Sequence, residues 1–156
     1  MKKENNSSPI QNFVRNKAKF LLSLLIFLPL VYVYSQVAGP ATKENLEQLE
    51  KEIKQIKHIA GVTLQDSYVR KKLTVVLVTE KYSTKIGYEY IFEYYKNEFK
   101  KNGWIFCCTL ENSESKDMLF KKKDYTAYVT YVLGDANKLI IDLSWGLGGC
   151  DADCKD

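Results

Sequence analysis

From Phe20 to Val37 the chain is an almost unbroken apolar run, and no other feature constrains its fold as strongly. Eighteen helical residues at about 1.5 Å each come close to the thickness of a bilayer's hydrocarbon core. The expectation is a transmembrane helix over residues 20–38, a signal anchor, followed by one modest polar domain. Of the 23 basic and 19 acidic side chains, five and one fall within residues 1–19, which leaves 18 of each sign in the remainder. The whole excess of positive charge therefore precedes the apolar run. Basic residues flanking a first hydrophobic segment are retained in the cytoplasm, so residues 1–19 are expected inside and the following domain outside. A nucleic-acid reading of the net charge of +4 is excluded by the same distribution.

The alternative is a cleaved secretory signal, with Gly39-Pro40-Ala41 as the small-residue site. The proline makes that site a poor one, and the run is longer than a signal's apolar core. Tyr32 and Tyr34 suit the headgroup zone at the outer end, and Pro29 is tolerated in a membrane helix. No cysteine follows the run closely, so a lipid-anchored amino terminus is not indicated.

Between Thr42 and Ile59 the pattern becomes charged, with Leu46, Leu49, Ile53, Ile56 and Ala60 recurring at intervals of three and four. That spacing predicts one apolar stripe on a helix, with Thr42 as N-cap. The stripe is either a face lying on the next domain or a short coiled-coil seam that dimerises the chain through residues 44–60.

After Gly61 the period changes to two. Val62–Tyr68 and Leu73–Lys81 read as strands around the turn Arg70-Lys71-Lys72. A helix follows, capped at Ser83 or Thr84, with Tyr88, Ile91, Tyr95 and Phe99 on its apolar side and Gly103 as a left-handed stop. Strands are expected at 104–111, 118–123, 125–133 and 138–145, the last two forming a hairpin across Gly134-Asp135-Ala136-Asn137. The fold class is α+β, an N-terminal transmembrane helix followed by a two-layer sandwich with a mainly antiparallel sheet. The expected segments are a basic stretch at 1–19, the span at 20–38, an amphipathic helix or stalk at 39–60, the outer domain at 61–147 and an acidic cysteine-containing tail at 148–156.

Tyr82-Ser83-Thr84, Glu93-Tyr94-Tyr95, Asn102-Gly103-Trp104, Lys123-Asp124-Tyr125-Thr126-Ala127 and the closing Ser144-Trp145 together resemble small bacterial membrane-anchored envelope proteins and lipoproteins. The resemblance covers residues 60–146. It implies an envelope location and an α+β fold, and it implies no catalytic residues. The chain departs from the lipoprotein members in lacking their lipid-attachment cysteine.

The four cysteines carry the most chemistry. In an oxidising compartment they read as disulfides. Cys107 and Cys108 are neighbours on a strand and are expected on opposite faces, Cys108 toward the core with Trp104 and Phe106, and Cys107 toward Cys150 or Cys154. A redox pair is disfavoured, because three residues separate the tail cysteines and Asp151, Asp153 and Asp156 would raise a thiol's pKa. His58 is the single histidine and reads as an ordinary helix residue; one histidine builds neither a two-histidine zinc site nor a relay. Tyr125, Tyr128 and Tyr131 are candidates for a binding surface, although strands favour aromatics for packing alone.

The expected function is therefore a non-enzymatic single-pass envelope protein whose outer domain binds or helps assemble an envelope component. Its expected partners are the membrane through residues 20–38 and an envelope protein or glycan, with a homodimer as an alternative and with no nucleic acid and no cofactor. A structural subunit dimerising through 44–60, or a small cysteine-dependent envelope enzyme, are the other two readings.

Overall fold

The computed structural model describes residues 9–72, 74–134, 138–150 and 154, with the backbone alone at 9–22, 24, 26 and 34–38. The chain divides into two units, 1–39 and 40–156, and helix α1, Pro9–Gln55, contributes residues to both. Thr42 lies within α1 and is not its N-cap, because the helix passes through Gly39 and Pro40. A proline removes one backbone donor and crowds the preceding turn, and here these costs do not end the helix. Among the described residues no helix is long and apolar enough to cross a membrane. The span expected at 20–38 falls in large part outside the residues whose side chains are described.

The second unit is α+β. Strands β1 (Val62–Lys72), β2 (Val75–Thr84), β3 (Ile105–Glu111), β4 (Ser115–Lys122), β5 (Tyr125–Val132) and β6 (Lys138–Trp145) form one sheet in the order β1-β2-β6-β5-β4-β3. Every neighbouring pair is antiparallel. Helix α2, Tyr88–Lys101, and the end of α1 cover one face.

The boundaries shift where edge chemistry overrides the turn signal. Arg70 to Lys72 belong to β1, pairing with Leu77, Val76 and Val75, so β1 runs to Lys72 and β2 starts at Val75. Ser83 and Thr84 finish β2 and do not cap α2; its N-cap is Gly87, without a side-chain hydrogen bond. Thr84 Oγ1 instead accepts the N–H of Ile86 at 3.0 Å. Gly103 ends α2 with φ +81°, the left-handed conformation open to glycine.

The stripe Leu46, Leu49, Ile53 and Ile56 is buried in the same core as Val76, Val78, Ile91, Tyr95, Phe99 and Ile141. These side chains are spent inside the unit, so a helix-seam dimer would have to withdraw them from it. Phe99 stacks on Phe120 at 4.5 Å between ring centroids and meets Trp104 edge-on at 5.6 Å. Trp104 is 2% exposed, as expected of a core anchor, while Trp145 is only partly buried against the core. Two buried carboxylates fasten the helices, one to the sheet and one to the loop after α1. Glu52 on α1 accepts from Lys122 Nζ at 2.7 Å and from Gln48 Nε2 at 2.9 Å. Glu98 on α2 accepts the N–H of Lys57 at 3.1 Å, which holds the chain just past the end of α1.

Candidate functional site

The face of the sheet away from the helices carries side chains that stand outside the hydrophobic core. Register sets them in rows across the strands. One row reads Tyr68, Thr79, Asp142, Tyr128, Leu119 and Cys108; the next reads Asp66, Lys81, Ile140, Thr130, Asp117 and Leu110. The two halves of this face differ in what covers them.

Over β3, β4 and β5 lies the tail after Trp145. Disulfides join Cys107 to Cys150 and Cys108 to Cys154, with Cα separations of 5.6 and 5.8 Å. Cys108 is therefore not a core residue. The register of β3 on β4 steps from Phe106–Phe120 to Cys108–Leu119, leaving Cys107 as the extra residue of a β-bulge. A bulge cancels the alternation that would send neighbouring side chains to opposite faces, so both cysteines reach the tail. The N–H of Cys154 donates to the C=O of Cys150 at 3.0 Å, which holds the two tail cysteines near each other. Leu119 is fully buried although it faces away from the helices, and Thr126 and Ser144 beside it are buried too.

The half formed by β1, β2 and β6 has no such cover among the described residues. At its centre Thr79 Oγ1 donates to Asp142 Oδ1 at 2.5 Å. Burial raises the Asp142 carboxyl above the usual carboxylate range, opposed by the Thr79 hydrogen bond and by Lys81 and Arg70, and reinforced by Asp117. The Tyr68 ring is flanked by the guanidinium of Arg70 at 5.0 Å and by Lys81 Nζ at 4.9 Å. Lys81 also pairs with Asp66 at 3.9 Å. A depression of about 390 Å³, lined by Gln65, Asp66, Lys81, Ser83, Lys138 and Ile140 among others, extends this surface. It offers aromatic, cationic and carboxylate contacts side by side, which suits recognition of a polar partner.

The three tyrosines expected to form a surface are separated. Tyr128 stands on the face away from the helices. Tyr125 and Tyr131 point to the helix side, where their hydroxyls donate to Asn45 Oδ1 at 2.7 Å and to the C=O of Ile86 at 3.1 Å.

A second constellation lies on the helix side, and sequence reasoning missed it. His58 sits in the loop after α1, not on the helix. The Tyr82 hydroxyl donates to Glu80 Oε2 at 2.5 Å, so its 2.9 Å contact with His58 Nε2 is a hydrogen bond given by the ring. Nδ1 is then the acceptor, taking the Tyr95 hydroxyl proton at 3.2 Å. Tyr95 in turn accepts the N–H of Ile59. Burial lowers the pKa of His58, with Glu80 and Glu98 opposing it, and burial raises the pKa of both Tyr82 and Tyr95. The chain of donors fixes one neutral tautomer and closes the α1–β1 loop. Only the Tyr82–Glu80 spacing and the single histidine could have hinted at it, because the partners are 24 and 37 residues away.

All four cysteines are in disulfides, so no free thiol stands among the described residues. Among the described residues no group of three or more His, Cys, Asp or Glu is placed to hold a metal ion. Comparison of the chain with protein-family models, with curated proteins and with solved structures finds no match to any of them.

Proposed function

We propose that the chain is a non-enzymatic, single-pass envelope protein whose 40–156 unit works outside the cytoplasm, binding or helping to assemble an envelope component through the uncovered half of the sheet. The observation that carries this reading is the asymmetry of that face: one half is stapled under a disulfide-bonded tail, while the other presents Tyr68, Lys81, Asp142 and Ile140 together. Two disulfides persist where the surroundings are oxidising, which supports an outer location. The basic stretch 1–19 followed by the apolar run supports an anchor with its amino terminus inside.

The test is site-specific photo-crosslinking in native membranes. A photoreactive residue at Ile140 should yield adducts, and one at Tyr90, which is 65% exposed on α2, should not. Protease and glycosidase treatment of the adduct separates a protein partner from a glycan. Adducts from Tyr90 with none from Ile140 would move the binding surface to the helix side.

A further inference from the structure

The two edges of the sheet are finished differently. The β3 edge is broken by the bulge at Cys107 and bridged to the tail through both of its cysteines. Strand β1 is eleven residues long, pairs on one side only, and is exposed along almost its whole length. Leu64 and Val69 are 51% and 39% exposed there. An edge of this length presents a row of backbone donors and acceptors for another strand. Natural edges are commonly blunted by charges or a bulge. The bulge in β1 falls between Leu64 and Asp66, which leaves residues 66–72 in regular register.

Two charges on this regular stretch, Asp66 and Arg70, are placed to complement each other. Asp66 and Arg70 lie on the same face of β1, two residues either side of Tyr68. If two β1 strands pair antiparallel about Tyr68, Asp66 of each copy stands opposite Arg70 of the other. Ser67 stands opposite Val69, so across residues 66–70 no like charges face each other directly. Opposite charges across an antiparallel pair are favourable, and a symmetric pairing produces the contact twice. We propose that β1 is a homodimer interface: two copies of this chain pair edge to edge about Tyr68 and join their sheets into one. The dimer uses the strand edge and leaves the apolar stripe of α1 in the core, unlike a dimer through residues 44–60.

Full-length protein in mild detergent, with the protein mass measured by sedimentation, tests this. The wild type should be dimeric at micromolar concentration. Asp66→Arg alone or Arg70→Asp alone should weaken the dimer at least tenfold. An equimolar mixture of those two variants should recover it, because each then faces the opposite charge. Both side chains are exposed, and unchanged circular dichroism confirms that the variants fold. Independently, Tyr68→Cys should give a species of doubled mass on a non-reducing gel. A wild type that stays monomeric at 100 µM, or a dimer indifferent to both charge reversals and not captured by Tyr68→Cys, would overturn the proposal.

Discussion

Trp104 shows how a single side chain can hold a core together and still be imperfectly served. Its ring is packed against Phe99 and its Nε1 has no hydrogen-bond partner, an arrangement that costs free energy in a buried site. Trp104→Ala should lower stability by about 3–5 kcal/mol in a denaturant titration, the usual cost of emptying a large aromatic site. Trp104→Phe should cost about 1–2 kcal/mol, because losing the orphaned N–H offsets part of the lost packing. His58 makes a prediction about pH. Its folded pKa lies below the ordinary 6.5, so between those two values the unfolded chain binds more protons than the folded one. Stability is therefore full above pH 6.5 and falls as the solution is acidified through the folded pKa. His58→Gln should flatten that part of a plot of thermal midpoint against pH. A midpoint that rises on acidification over this window in wild type, and not in the variant, would contradict the neutral tautomer.

At the scale of elements, the tail and β3 depend on each other. In the chain-entropy model a bridge closing about 43 residues stabilises by about 4 kcal/mol. Once it is formed, the second bridge closes only a small ring of roughly six residues and adds about 2 kcal/mol. Replacing Cys107 and Cys150 with serine should therefore cost less than the single-bridge value, since the Cys108–Cys154 bridge still closes a loop of similar length. Removing both bridges should cost much more than twice that loss. Calorimetry of the two paired variants and the quadruple variant checks this non-additivity. Gly146 marks the other end of the tail. It has φ +77°, and a Cβ there would lie 1.9 Å from the carbonyl oxygen of Thr74. Gly146→Ala should destabilise by at least about 1–3 kcal/mol from backbone strain alone.

Across the whole unit, what could be read in advance followed from short-range pattern. The alternation in 62–84 and 104–145, the helical spacing of Ile91, Tyr95 and Phe99, and Gly103 as a stop all describe neighbours in sequence, and the α+β sheet followed from them. What escaped prediction depends on distant partners or on a one-residue slip. The bulge at Cys107 turned a correct alternation rule into a wrong assignment for Cys108. Strand order placed Tyr68 in line with Asp142 and Tyr128, which no local spacing encodes. The His58 network joins a loop to β2 and α2 by hydrogen bonds that periodicity cannot anticipate.

Under the proposed function the 40–156 unit is a disulfide-stapled outer unit on a retained, basic-flanked anchor. One measurement bears on all of it: intact mass of the chain recovered from membranes after thiol alkylation without reduction. The chain is expected in the membrane fraction, retaining residues 1–19, carrying no alkyl group and yielding Cys107–Cys150 and Cys108–Cys154 as its linked peptides. A chain that begins near Thr42, or one that carries four alkyl groups, would contradict it.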